Sequence, residues 1–182
     1  PSALNPNEAE EDESYVDYYY DEPGSMPGTL TIPADAQAPI IALIDYNEHA
    51  ATRVEIATPE ECRPYLDSNS VSWVDVKGLG SEDVLRRLGD VFSLHPLVLE
   101  DVVNVPQRPK VEEYHNQLLF ITRMVTPKGA EGGFLSEQVS FILGEHYLLT
   151  VQEEPKYDCF GPIRERIRTN KGTIRKQGAD YL

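Results

Sequence analysis

The chain has 182 residues, 40% of them hydrophobic and 26% charged, which suits one globular domain with a sizeable core. Its 31 acids against 16 bases give a formal net charge of −15, a body that repels nucleic-acid phosphates and attracts cations. No apolar run approaches the ~20 residues of a membrane-spanning helix, and the acidic N-terminus has neither the basic nor the apolar region of a secretion signal.

Residues 1–27 read as an acidic, solvated extension. Residues 1–22 carry eight acids and no base, followed by few aliphatics, a composition that cannot build its own core. The cluster Tyr15, Tyr18, Tyr19 and Tyr20 leaves a partner-binding arm as the alternative. From Pro39 the pattern sharpens. Residues 40–46 and 52–57 read as strands joined by a short turn. Thr58-Pro59-Glu60-Glu61 is a helix start, with Thr as N-cap, Pro at the first position and Glu completing a capping box. Residues 71–76 form a strand carrying the only tryptophan, Trp73. Ser81 caps a helix over 81–92, with Glu82 and Asp83 in its first turn and Val84, Leu85, Leu88, Val91 and Phe92 on its buried face.

Residues 95–114, HPLVLEDVVNVPQRPKVEEY, predict a short helix, an abrupt stop at Pro106 and Pro109, and the start of a strand. Strands over 118–125, 137–143 and 147–152 follow with tight turns between them, an antiparallel meander. The sheet is therefore mixed and flanked by helices, an α/β domain of α+β character. Residues 163–182 read as a basic helix with Arg164, Arg166, Arg168, Arg175 and Lys176, with a bend expected at Thr169–Thr173 because of Gly172.

Few residues suggest chemistry. Cys62 and Cys159 have no metal-ligand spacing and read as unpaired thiols. His49, His95, His115 and His146 lack the spacing of a zinc site; His95 reads as a neighbour of the helix cap and His146 as a turn residue. Gly78-Leu79-Gly80 is too short for a dinucleotide fingerprint, and there is no nucleophile elbow or phosphate loop. The chain reads as a non-enzyme. Arg108 reads as a corner residue pairing Glu112 or Glu113. Glu100 and Asp101 are adjacent on a helix and so point about 100° apart. They do not chelate one ion together, but each could donate to a different hard cation; the plain alternative is two exposed acids on a polar face.

The run HPL-x-LED-x-x-N-x-x-QRPKVE resembles the cytoplasmic domain of the CorA family of divalent-cation transporters. The likeness extends over roughly residues 26–182, through Met26–Thr29, Ser70–Val76, the stretch SEQVSFIL at 136–143, and IRERIR-x-N-x-G-x-IRK with ADYL at the end. The resemblance implies a domain at residues 28–182 that begins a long stalk helix, with a membrane part outside this chain. It implies a homopentameric channel for Mg2+, with Co2+ or Ni2+ as further cations, in the cell inner membrane. The present domain would lie in the cytoplasm, where Glu100 and Asp101 hold regulatory Mg2+ at subunit interfaces. Partner carboxylates would come from stalk helices, so Mg2+ binding by this piece alone would be weak. A domain like that of the zinc transporter ZntB is the first alternative, because the family's Gly-Met-Asn pore motif lies outside the chain. An acidic interaction module with no transport role is the second.

Overall fold

The computed structural model describes residues 26–66, 68–128, 132–156 and 158–182. The acidic and Tyr-rich stretch over 1–25 lies outside the described residues. A seven-stranded sheet runs in the order β2-β1-β3-β7-β6-β5-β4. Its strands are β1 (Ile40–Tyr46), β2 (Ala51–Ile56), β3 (Val71–Lys77), β4 (Lys110–Tyr114), β5 (Gln117–Pro127), β6 (Phe134–Leu143) and β7 (Tyr147–Gln152). Every neighbouring pair is antiparallel except β3 with β7. The sheet is mixed because the chain leaves β3, builds two helices and a meander, and returns beside β3 in parallel.

Side chains alternate between the two faces. On the inner face Leu43, Val74, Val76, Leu119, Ile121, Ile142, Leu149 and Val151 meet the helices α2 (Glu82–Phe92) and α3 (Pro96–Val103) in the larger core. On the outer face Ile44, Tyr46, Trp73 and Leu148 meet Ile167 and Ile174 in a smaller one. Ile167 belongs to α4 (Gly161–Arg168). Helix α2 starts where its sequence directs: Ser81 Oγ accepts from Val84 N–H, and Ser93 closes it in the left-handed region at φ 52°.

Two elements differ from expectation. The helix expected over 59–67 is a 3-10 turn at Pro59–Cys62 leading into a single α turn, α1 (Arg63–Leu66); the Thr58–Glu61 capping box is present. The helix expected over 163–182 covers only Gly161–Arg168, and the start of a long stalk helix is not formed among the described residues. Asn170 at φ 52° and Gly172 at φ 76° break the helical path. Arg175 folds back and donates to the carbonyls of Ile167 and Arg168, satisfying the open end of α4. The chain then runs through 3-10 turns at Ile174–Lys176 and Ala179–Tyr181.

Gly78 and Gly80 have a packing role. A Cβ on Gly80 would lie 2.2 Å from Ala36 O, and Gly80 N–H donates to Gln37 O at 2.7 Å. These glycines let the segment before β1 lie against the end of β3. No helix among the described residues is long and apolar enough to cross a membrane.

Candidate functional site

The polar residues of the 95–114 run mostly build the platform on which two acids stand. His95 is itself the N-cap of α3: its Nδ1 accepts from Leu97 N–H at 3.2 Å, and its ring stacks on Tyr114 with centroids 5.3 Å apart. Val98, Leu99, Val102 and Val103 bury the opposite face. Asn104 ends the helix; its Oδ1 accepts from Thr31 N–H at 2.8 Å and its amide donates to Thr29 O. Buried Gln138 on β6 binds the same end. Its amide donates to the carbonyls of Asp101 and Val102, and its Oε1 accepts from Gln107 N–H at 2.7 Å. Pro106, joined to Val105 by a cis peptide bond, and Pro109 then turn the chain into β4.

Glu100 and Asp101 stand on this platform pointing in different directions, as adjacent helical residues must. Neither is the open, exposed acid that the sequence suggests. Both are half-buried. A Glu100 oxygen accepts a hydrogen bond from Gly28 N–H. Asp101 Oδ2 lies 2.7 Å from Lys110 Nζ. Lys110 also reaches Glu112 at 3.3 Å, so Glu112, expected beside Arg108, has Lys110 and the Tyr114 hydroxyl as neighbours. That hydroxyl, donating at 2.7 Å, holds the Glu112 carboxyl below its usual range, aided by Lys110 against partial burial. The same bond pushes the Tyr114 phenol up to about 12.

The donor chemistry fits a hard cation such as Mg2+, which takes carboxylate oxygens and keeps much of its water. The donor number does not complete a site. Among the described residues no group of three or more His, Cys, Asp or Glu is arranged to hold a metal ion. Among the described residues Glu100 and Asp101 therefore make no complete metal site by themselves.

Two polar clusters escaped the sequence reading. On the outer face, buried Asp75 accepts from Thr150 at 2.9 Å and from Arg164 at 2.9 Å. Lys77 and Arg164 both contact Asp158, and the Arg164 guanidinium sits 5.7 Å from the Trp73 ring centroid. Burial opposes the charge on Asp158, but the bonds from Arg164, Lys77 and Phe160 N–H outweigh it and hold the carboxyl at about 2. This network ties α4 to the centre of the sheet. Its one local signal was an acid, Asp75, among the apolar residues Trp73, Val74 and Val76 of β3. Further along the same face, buried Glu137 leaves Oε1 without a partner among the described residues, as does Gln152 with both amide atoms. Burial, with Glu153 and Glu154 nearby and only partly offset by the Glu154 N–H, pushes the Glu137 carboxyl up to about 6.

The remaining candidates are quiet. Cys62 and Cys159 are free thiols; burial pushes Cys62 up to about 12 and raises Cys159, so neither is an activated nucleophile. His146 sits in the β6–β7 turn, 3.7 Å from Glu145.

Residues 68–180 match the family model described as "CorA-like Mg2+ transporter protein". Over 160 residues the chain is 39% identical to the cobalt/magnesium transport protein CorA of Thermotoga maritima, covering 87% of this chain and 45% of that protein. The chain spans less than half the length of the curated relatives it matches. Among solved structures it resembles the full-length CmaX protein, with TM-score 0.60 and 14% identity over 77% of this chain and 42% of that one. It also resembles the complete CorA magnesium transporter of Methanocaldococcus jannaschii, with TM-score 0.51 and 15% identity over 71% and 37%. At such identities the structural likeness concerns the fold.

Proposed function

The chain belongs to the CorA-like Mg2+ transporter family, and from that premise we propose that it is the cytoplasmic regulatory domain of a homopentameric Mg2+ channel that also admits Co2+ or Ni2+. In this reading Glu100 and Asp101 sense cytosolic Mg2+ at the interfaces between copies and close the channel when the ion is abundant. The observation that carries it is the pair of adjacent carboxylates held on α3 by the platform of His95, Asn104 and Gln138. The platform holds both ends of α3, the start through His95 and the end through Asn104 and Gln138 of β6, and so fixes the direction in which the two acids point. The Thermotoga relative is named for cobalt and magnesium transport, which supports the cation class.

The physical scheme uses the chain's own acids. Each copy carries a large negative charge, so copies that bring α3 against another carboxylate repel one another. Mg2+ supplies two positive charges and an oxygen-seeking coordination shell. With the repulsion cancelled, the close-packed arrangement is favoured; without that cancellation the copies relax apart, a shift between two populations. An incomplete site of carboxylates and water binds weakly, which suits a sensor rather than a store.

The test is ion flux through the reconstituted full-length protein. Asp101→Ala should shift inhibition by internal Mg2+ to higher concentration and leave the uninhibited flux unchanged, because the residue senses and does not conduct. Coincident inhibition curves for variant and parent would remove Asp101 from the sensor.

A further inference from the structure

Asp101 already has a cation within the chain. Lys110 Nζ lies 2.7 Å from Asp101 Oδ2 and 3.3 Å from Glu112 Oε1. Its position is set by the sheet. Lys110 pairs with Ile121 across β4 and β5, and directly opposed residues share a face. Ile121 lies on the inner face, where α3 packs, so β4 delivers the ammonium to the helix that carries Asp101. The contact is partly shielded, with side-chain exposures of 28% for Lys110 and 17% for Asp101. Glu112 is braced in turn by the Tyr114 hydroxyl, and Tyr114 by the ring of His95 at the start of α3. The other acid is also engaged, since Glu100 accepts from Gly28 N–H.

We infer that Lys110 is a built-in counter-ion that competes with a divalent cation for Asp101 and thereby sets the affinity of that site. The inference rests on the reading of Asp101 as a Mg2+ carboxylate. A tethered ammonium is present at high effective concentration whatever the ion level outside. A divalent ion approaching Asp101 either displaces the ammonium or sits beside it against charge repulsion. Both routes raise the Mg2+ concentration needed for occupancy. Displacement has a ready outlet, because the lysine stem is flexible and Glu112 is already within reach. Such a device keeps the sensor empty at low Mg2+ without leaving an unpaired carboxylate.

The sign of the effect separates this role from a structural one. A counter-ion, once removed, leaves Asp101 more open to Mg2+. A lysine that only braces α3 would, on removal, loosen the helix and weaken binding. The experiment is a Mg2+ titration of the 182-residue chain at low ionic strength, read from the backbone amide resonances of Asp101 and Val102. Lys110→Met should lower the dissociation constant about fivefold, as expected for releasing a partly shielded ion pair. Lys110→Gln should act in the same direction. Lys171→Met makes the same change in net charge at an exposed position away from α3 and should change the constant by less than about twofold. Unchanged or weaker binding by both Lys110 variants with the fold retained, or equal tightening by Lys171→Met, would overturn the inference alone. Titration of these amides that survives Asp101→Asn, or no titration in any variant, would overturn the assignment of Mg2+ to Asp101 and the inference with it.

Discussion

At the scale of single residues, Glu137 makes the clearest demand on the folded state. Its carboxyl is buried with one oxygen unpartnered among the described residues, and burial lifts it from an ordinary 4.5 to about 6. The folded chain therefore holds this proton more tightly than the unfolded chain does. Below about pH 4.5 both states are protonated and the group imposes no cost. As pH rises through about 6 the buried carboxyl must ionise, and the stability it supported in acid is lost. The shift corresponds to about 2 kcal/mol. Glu137→Gln keeps the shape and cannot ionise. Urea unfolding should find the variant more stable than the parent at pH 7.5 by up to about 2 kcal/mol, with little difference at pH 4.5. An equal difference at both pH values would mean that ionisation of Glu137 is not the source. Asp158 works in the opposite sense. Its carboxyl, at about 2 in the folded chain against an ordinary 3.8, supports stability above pH 3.8 that is lost as pH falls through 2. Comparing variant with parent at each pH isolates Glu137 from it.

At the scale of elements, α3 is held by its buried apolar face and by what is tied to its C-terminal end. Asn104→Ala removes the acceptor for Thr31 N–H and the donor to Thr29 O. The cost should be about 2–3 kcal/mol, because those partners sit in a part-buried contact. Amide exchange at Thr31 should accelerate well beyond the global loss of stability; protection that falls only in step with global unfolding would deny Asn104 its local role. The same helix shows what was legible in the sequence. Its start at His95-Pro96, its stop before Pro106 and its paired acids follow from local chemistry. The strands at 40–46 and 71–76 were legible as short, largely apolar runs of strand length, and both are buried on the two faces of the sheet. The pairing of β3 with β7 carries no local signal, since it joins segments more than 70 residues apart. The partners of the acids, Gly28 and Lys110, come from outside the helix, so its spacing alone suggested exposure. In the basic stretch after Pro162 the residues 169–173, with Gly172, carry a signal for a bend, and there Asn170 and Gly172 take positive φ and let Arg175 close the end of α4. Propensity and the cap supplied from downstream end the helix together there.

At the scale of the whole molecule, charge and surface argue about assembly together. The net charge of −15 is concentrated outside the C-terminal segment: residues 159–182 carry six bases and two acids. Like-charged copies repel over about 10 Å at 0.1 M salt, and that repulsion opposes contacts between their acidic faces. Among the described residues, most of the large exposed apolar side chains are set apart on separate elements. Met26, Ile40, Leu97, Val111 and Tyr181 are each on a different segment, while Val125 and Phe134 share the tip of the β5–β6 hairpin. A stable interface needs roughly 1,000 Å2 or more of well-matched surface, and scattered residues do not supply it. The proposed pentamer would therefore draw much of its cohesion from the part of the full-length protein outside this chain. The 182-residue chain should sediment as a monomer, or as a weak oligomer that dissociates on dilution, at low micromolar concentration and low salt. Added Mg2+ should favour association by neutralising acids between copies, and an equal ionic strength of NaCl should do so less. A stable pentamer in the absence of divalent ions would show instead that this surface assembles by itself, with the charge on Glu100 and Asp101 too small a term to oppose it.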